Sequence, residues 1–233
     1  MKIINNIFVF FIISLSFYCI RIYGTEFIIK NNLYDDKYFD SFETIGNNFY
    51  EEELVFKFEE SYYDFSNLKK INFEFKFNKE TKNIYFIGNK NGTIFDFKSG
   101  KGGSFFINGI NANSIKIENI IFNNYNQRGQ NHMYLFAINV IYDTTVYINN
   151  CTFQNNDFEL IGINTWSNKI KESEPRIIIN NCNFYKNSVQ LFYTYNTGYS
   201  YKLIKFSNCK FIDNGGLFNS FMFEYIFENC NKI

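Results

Sequence analysis

The segment "VYINNCTFQNN" (146–156) aligns without a gap with "IIINNCNFYKN" (177–187) and "IKFSNCKFIDN" (204–214), so all three keep the same order of apolar side chains, Asn, Cys and Phe. Weaker copies begin at Ile84, Ile115 and Tyr225. Successive copies start 31, 31, 31, 27 and 21 residues apart. A repeat of this length indicates a solenoid, in which similar units stack on one another and bury a continuous core.

Each copy alternates apolar and polar residues, which is typical of a short strand with one buried face. Equivalent positions keep their chemical character from copy to copy. The asparagine column is Asn150, Asn181, Asn208 and Asn229, the cysteine column is Cys151, Cys182, Cys209 and Cys230, and the phenylalanine column is Phe122, Phe153, Phe184 and Phe211. We therefore predict that the copies stack in parallel, with apolar columns inside and Asn amides hydrogen-bonded along a corner ladder.

The intervals between copies are too short for a helical connection in every turn, whereas three short strands joined by turns fit each interval. The prediction is an all-β chain that forms a right-handed parallel β-helix over residues 81–233. Residues 25–80 lack the motif but alternate as strands do. Because the open end of a β-helix must be protected from further pairing, we predict an N-terminal cap and the first rungs over residues 25–80.

The first 24 residues are typical of a cleavable signal peptide, with Lys2 before an apolar run over 7–17 and Gly24 at the expected cleavage point. The run is too short to span a bilayer, and no later segment is predicted to span one. Removal of residues 1–24 takes away Lys2 and Arg21, which leaves 21 of the 23 basic side chains against 23 acidic ones. This near-neutral balance argues against nucleic acid as the partner. We expect a secreted or cell-surface protein.

Phe and Asn recur three residues apart at 153–156, 184–187 and 211–214, and the last pair is followed by Gly-Gly-Leu at 215–217. These residues resemble the repeats of the polymorphic outer-membrane protein family over residues 84–233. The likeness extends to the wider pectate-lyase-like β-helix superfold. It implies a β-helix whose relatives are surface adhesins, passenger domains and polysaccharide-cleaving enzymes. The copy that begins at Ile115 departs from the pattern, because Tyr125 stands where Asn is expected.

Four of the five cysteines lie in the mature chain, and all four occupy the same repeat position. An exported chain with four cysteines suggests disulfides. Stacked neighbours are close enough to bridge, but the disulfide dihedral angle of about 90° would strain the ladder. Buried free thiols are therefore the preferred arrangement, with bridges as the alternative. A linear column cannot surround a tetrahedral metal, so we expect neither a metal nor a cofactor.

Catalysis on a polysaccharide would require carboxylates on neighbouring turns, with Arg, Lys or His placed for proton transfer. The aligned columns supply no such group. Asp157 aligns with Ser188 and Gly215, and Asp213 aligns with Lys186 as a surface ion pair of little energetic weight. We therefore predict no catalytic residues.

Aromatic and titratable side chains also occur in polar loops. His132, the only histidine, is expected to be a solvated loop residue. Trp166 either stacks on a sugar face or has an ordinary packing role. Four tyrosines at strand spacing form either a sugar platform or a wall of the coil; they are Tyr193, Tyr195, Tyr199 and Tyr201.

The chain contains two N-x-S/T sequons. Asn91, in Asn-Gly-Thr, is expected at a turn and is a candidate glycosylation site. Asn150, in Asn-Cys-Thr, belongs to the asparagine column and is expected to be masked by folding.

We expect a non-enzymatic, adhesin-like module that presents its wall and loops to extracellular polysaccharides or surface proteins. The alternative is a truncated or degenerate polysaccharide lyase or glycoside hydrolase whose carboxylates come from the loops. A third hypothesis is a building block of a longer wall or matrix protein. The first is preferred because an exported, near-neutral repeat carries no aligned catalytic groups.

Overall fold

The computed structural model describes residues 25–30, 50–66, 72–77, 80–100, 103–108, 112–126, 134–140, 144–165, 175–196, 202–220 and 223–232. Within these ranges the regular elements are all strands, and no helix is long and apolar enough to cross a membrane. The strands pair in parallel and form three sheets, which we call A, B and C. The predicted all-β fold, a parallel β-helix, is confirmed.

Each complete turn of the coil contributes one strand to sheet A, then one to sheet B and one to sheet C. Sheet A has eight strands: β1 (Thr25–Ile29), β2 (Glu53–Phe58), β5 (Asn83–Gly88), β8 (Ser114–Glu118), β11 (Thr145–Asn149), β14 (Ile177–Asn180), β17 (Lys202–Ser207) and β20 (Phe223–Glu228). Sheet B has seven: β3 (Tyr62–Asp64), β6 (Thr93–Asp96), β9 (Ile120–Asn123), β12 (Thr152–Gln154), β15 (Asn183–Tyr185), β18 (Lys210–Ile212) and β21 (Asn231–Lys232). Sheet C has six: β4 (Asn72–Lys76), β7 (Ser104–Asn108), β10 (Phe136–Val140), β13 (Ile161–Thr165), β16 (Gln190–Asn196) and β19 (Gly216–Ser220). The turns from β2 to β19 each contribute to all three sheets, and the described strands β1, β20 and β21 extend sheets A and B.

The phenylalanine column lies on the inner side of sheet B. Phe122, Phe153 and Phe184 are fully buried, and Phe211 is nearly so. The rings of Phe153 and Phe184 are 5.1 Å apart and almost parallel, at 3°. The rings of Phe184 and Phe211 are 4.9 Å apart at 4°. Because a shift of one residue would turn every ring of a strand to solvent, this column fixes the register of the coil.

Strands β2, β3 and β4 supply one strand to each of the three sheets, although this part of the chain lacks the repeat motif. Leu54 and Phe56 of β2 pair in register with Ile84 and Phe86 of β5 and are equally buried. Strand β1 continues sheet A beyond β2. Strands of all three sheets therefore occur between residues 25 and 80, where we predicted a cap and the first rungs, and the predicted signal peptide over 1–24 lies outside the described residues.

The asparagine column marks the corner between sheets A and B. Asn150, Asn181, Asn208 and Asn229 have φ angles of 52°, 52°, 55° and 52°. This is the left-handed region, which Asn enters at lower cost than most residues. All four side chains are exposed, and the Asn150 N–H donates to the Asn180 carbonyl at 3.0 Å. Among the described residues no amide ladder joins this column, so the sequence-based expectation is corrected: backbone conformation selects Asn at this corner.

A buried amide ladder does exist, at the Asn of the F-x-x-N pattern. Asn187 Nδ2 donates to the Phe153 carbonyl at 3.0 Å and to Asn214 Oδ1 at 2.8 Å. Asn156 Nδ2 likewise donates to the Phe122 carbonyl and to Asn187 Oδ1, at 3.2 and 2.9 Å. Since Asn156 and Asn187 are fully buried, these bonds satisfy polar groups that would otherwise be costly inside the coil.

Tyr125 replaces Asn at the first position of this ladder. Its ring is fully buried and meets the Phe97 ring edge-on, with the centroids 5.2 Å apart. Its backbone N–H donates to Asn156 Oδ1 at 2.8 Å, so the ladder still ends on a satisfied acceptor. An aromatic residue can therefore terminate the amide ladder without an unpaired polar group.

The cysteine column lies one residue beyond the A/B corner and points inward. Cys151, Cys182 and Cys209 are fully buried, Cys230 is half-buried, and all four are free thiols. Each buried thiol donates to backbone carbonyls; Cys182 Sγ lies 3.3 Å from the Asn180 oxygen and 3.4 Å from the Ile148 oxygen. Burial raises the pKa of the Cys182 thiol, so it stays protonated and unreactive.

Candidate functional site

The outer surface of sheet C carries a cluster of aromatic and amide side chains. On β13, Ile161 and Ile163 are fully buried, so the alternate residues Gly162 and Asn164 belong to the outer side. In the same column as Gly162 lie Ala137 on β10 and Tyr193 on β16. The tyrosine column is therefore outside the coil at Tyr193 and is not part of its inner wall.

Tyr134 lies across Gly162 and extends this surface. A Cβ atom at Gly162 would come within 2.3 Å of the Tyr134 ring, so only glycine lets the ring lie flat against the sheet. The rings of Tyr134 and Tyr193 are stacked, with centroids 5.5 Å apart and planes at 26°. Both side chains are half-buried, which leaves part of each ring in contact with solvent.

Burial, followed by the charge of Glu159, raises the pKa of Tyr134. The Tyr134 hydroxyl therefore stays protonated at physiological pH and retains its hydrogen-bond donor.

Amide side chains run beside the two tyrosines. Asn108, Asn139 and Asn164 occupy one column of sheet C, and Asn164 Nδ2 donates to Asn139 Oδ1 at 3.2 Å. Asn108 Oδ1 is buried and accepts no hydrogen bond from the described residues. We call the surface formed by Tyr134, Tyr193, Gly162, Asn139 and Asn164 the tyrosine–amide face. It combines aromatic rings with aligned amide donors and acceptors.

The polar loops of the sequence adjoin sheet C in the chain. Residues 127–133 directly precede Tyr134, and residues 166–174 directly follow β13. Four residues singled out in the sequence, His132, Trp166, Tyr199 and Tyr201, lie outside the described residues, as does the side chain of Tyr195.

Two carboxylates share a column on neighbouring turns of sheet B, which corrects the expectation that no such pair exists. In the parallel register of β3 with β6, Asp64 lies directly opposite Asp96. The sequence alignment missed them because β3 belongs to the turn that lacks the repeat motif. Alternation within the "YYDF" segment (62–65), compared with "IFDF" (94–97), was the available signal.

Both carboxylates are hydrogen-bonded to neighbouring groups. Asp64 accepts from the Ser66 N–H at 2.9 Å and pairs with Lys98 Nζ at 2.5 Å. Asp96 accepts from Asn124 Nδ2 at 2.9 Å and from the Tyr62 hydroxyl at 3.2 Å. The pKa of Asp64 is lowered: burial opposes the shift, but the bonds from Lys98 and Ser66 outweigh it. Asp64 is therefore ionised. The bond that it accepts from the Ser66 N–H also stabilises the turn that follows β3.

The remaining aligned polar residues have structural contacts. Ser188 Oγ donates to Asp157 Oδ1 at 2.8 Å, so these two do share a column. The predicted ion pair between Lys186 and Asp213 is corrected, because the Lys186 ammonium instead lies 4.9 Å from the centroid of the Tyr185 ring; both residues have left-handed backbones. Among the described residues, no group of three or more His, Cys, Asp or Glu side chains could hold a metal ion.

The two sequons lie at the same corner of the coil. Asn91 is exposed in the turn between β5 and β6. Asn150 is exposed in the turn between β11 and β12, so the expectation that folding masks it is corrected.

Comparison of the chain with protein-family models, with curated proteins and with solved structures gives no match in any of the three.

Proposed function

We propose that the chain is an exported, non-enzymatic module that binds polysaccharide through the tyrosine–amide face. The observation that carries this proposal is the stacked Tyr134–Tyr193 pair lying over Gly162 beside the bonded Asn139 and Asn164 amides. Tyrosine offers an apolar ring to the C–H face of a sugar and a hydroxyl to its polar rim. Aligned amides supply both donors and acceptors for sugar hydroxyls.

The repeat of the coil also suits a repetitive ligand. Neighbouring turns place equivalent groups about 4.8 Å apart. A linear polysaccharide presents equivalent hydroxyls at intervals of one sugar unit, so a stack of turns can bind several units at once and gain affinity by multivalency. The signal-peptide pattern over residues 1–24 supports export, and the near-neutral charge suits an uncharged ligand.

The amide ladder gives a physical reason for the recurrence of Asn in the F-x-x-N pattern. Asn156, Asn187 and Asn214 each donate to the carbonyl of a residue in the preceding turn. Asn156 and Asn187 also donate to the amide oxygen of the next asparagine in the ladder. We therefore propose that the chain belongs with the pectate-lyase-like β-helices, and that its repeats share this ladder with those of the polymorphic outer-membrane proteins.

Polysaccharide binding is tested by titration calorimetry of the mature chain against plant, microbial and host polysaccharides. The Tyr193→Ala variant is expected to bind about tenfold more weakly, which corresponds to about 1.4 kcal/mol. Tyr147→Ala is the matched control, because Tyr147 is a half-buried tyrosine on the outer side of sheet A. Equal losses in both variants, or no heat with any polysaccharide, would refute the proposal.

Polysaccharide cleavage is the second candidate function, and the aligned pair Asp64 and Asp96 favours it. One carboxylic acid and one carboxylate on adjacent turns are the groups that glycosidic cleavage requires. Reducing-end and unsaturated-product assays on the same polysaccharides decide between the candidates. Products that appear with the native chain and vanish in Asp96→Asn would establish an enzyme, whereas binding without products supports the non-enzymatic module.

A further inference from the structure

The corner between sheets A and B presents an asparagine whose surroundings suit a covalent carbohydrate. From this geometry we propose that Asn150 is an N-glycosylation site, in addition to the sequon at Asn91. The proposal rests on the proposed export of the chain but not on polysaccharide binding.

The alternation of the chain at this corner separates the three residues of the sequon. Cys151 points inward and is fully buried, whereas Asn150 is exposed and Thr152 is half-buried on the outer side of sheet B. The acceptor amide and the hydroxyl residue therefore both lie on the outside of the folded coil. A glycan attached before folding would not have to enter the core, and folding could proceed with it in place.

The Asn150 side chain is also not needed by the coil. Its corner is held by the backbone N–H, which donates to the Asn180 carbonyl at 3.0 Å. The side-chain amide makes no hydrogen bond within the described part of the chain. Its neighbours in the column, Asn119 and Asn181, have the same left-handed backbone.

The other asparagines of this column cannot accept a glycan, because their sequences lack the hydroxyl residue two positions later. Asn119 is followed by Ile121, Asn181 by Asn183 and Asn208 by Lys210. The buried ladder residue Asn187 offers a contrast, since its Nδ2 is occupied by two acceptors inside the coil. Asn150 thus combines a sequon, an outward side chain and an unoccupied Nδ2.

The chemistry requires a lipid pyrophosphate-linked oligosaccharide as the glycosyl donor. Asn150 Nδ2 forms a bond to the anomeric carbon of the first sugar as the bond from that carbon to the pyrophosphate oxygen breaks. The lipid pyrophosphate leaves with the electron pair, and Nδ2 gives one proton to a base of the transferase. No oxidation or reduction takes place, and the product keeps one N–H on the amide.

Both glycans would project from one corner of the molecule. Asn91 lies in the turn between β5 and β6 and Asn150 between β11 and β12, two turns further along the same A/B corner. This corner does not adjoin sheet C, so the two glycans leave the tyrosine–amide face open. The arrangement gives the coil one glycosylated edge and one bare face.

The test is expression of the full chain with its own signal peptide in insect cells, followed by N-glycosidase digestion in heavy-oxygen water and peptide mapping. We expect the isotope-labelled aspartate that marks a removed glycan at both 91 and 150. Thr152→Ala should remove one glycan from the intact mass, and Thr152→Ser should restore it. Because Asn183 Nδ2 lies 3.5 Å from Thr152 Oγ1, circular dichroism of Thr152→Ala checks that loss of this weak bond leaves the fold intact.

A label at 91 without one at 150 would overturn the proposal while leaving export established. A product that retains residues 1–24 and carries no glycan would overturn it together with the proposed export. Polysaccharide binding by the tyrosine–amide face is measured separately and is not decided by either result.

Discussion

At the scale of single residues, asparagine has two different structural roles in this coil. The exposed Asn of the A/B corner is selected for its left-handed backbone, as at Asn181 with φ of 52°. The buried Asn of the F-x-x-N pattern is selected for its amide, as at Asn187. Asn181 and Asn187 lie in one repeat, yet replacing the first disturbs a turn and replacing the second leaves buried carbonyls without donors.

At the same scale, the stacked phenylalanines account for much of the core. Phe184→Ala removes a fully buried ring that contacts Phe153 and Phe211 at 5.1 and 4.9 Å. We expect the free energy of unfolding to fall by about 3–5 kcal/mol, because the ring leaves a cavity. Urea unfolding measures the change, with the outward-facing Tyr185→Ala as control. Equal, small changes in the two variants would contradict the inner placement of the column.

The buried thiols make stability depend on pH. Burial raises the pKa of Cys182 above that of an unfolded thiol, about 8.5. Between these two values the unfolded chain has lost a proton that the folded chain keeps. The free energy of unfolding therefore falls as pH rises, by up to about 1.4 kcal/mol per pH unit for each such thiol.

In Cys182→Ala, the free energy of unfolding should fall less steeply with pH above about pH 8.5 than in the native chain. Below that pH, the dependence of the free energy of unfolding on pH should be unchanged. Urea unfolding under reducing conditions between pH 7 and pH 10 measures both curves. Curves for the native chain and the variant that stay parallel up to pH 10 would rule out the raised pKa.

At the scale of elements, Gly162 makes the tyrosine–amide face possible. Gly162→Ala places a methyl group within 2.3 Å of the Tyr134 ring, so the ring must leave the sheet and lose its stacking on Tyr193. We expect a changed near-ultraviolet dichroism of tyrosine, and polysaccharide binding reduced about tenfold. Gly216→Ala on β19 is the control, because its nearest neighbour is the flexible Gln190 side chain at 3.1 Å. Unchanged tyrosine signals in Gly162→Ala would argue against this geometry.

The strands of sheets A and B could be predicted from the sequence, because in the repeats from 146 onward the same short Asn-Cys segment joins a strand of sheet A to the next strand of sheet B. Sheet C could not be aligned, because connections of different length precede and follow its strands, as before Phe136 and after Thr165. The strands β2, β3 and β4 were not recognised as a repeat for another reason: Phe58 stands where later copies have the corner Asn. Side-chain contacts between non-equivalent positions, such as Tyr134 over Gly162, leave no periodic signal.

For the whole molecule, the parallel register means that one repeat can be removed as a unit. Deletion of 146–176 joins Thr145 to Ile177, which already occupies the column of Val146. The shortened chain is expected to fold with β8 against β14 and to unfold cooperatively with lower stability, because one set of contacts between turns is lost. Far-ultraviolet dichroism and urea unfolding measure this. Deletion of 146–160 breaks the register and should prevent folding; equal behaviour of the two deletions would disprove the stacking.

Phe227 is 47 % exposed, although its ring stacks on the buried Phe206 at 5.0 Å and 10°. Among the described strands, β20 has a partner on one side only. Its amides can therefore open to water without disturbing the interior, while those of β11 are enclosed by β8 and β14. Deuterium uptake should accordingly form a gradient along the coil axis, slowest in the middle turns and fastest near Phe227.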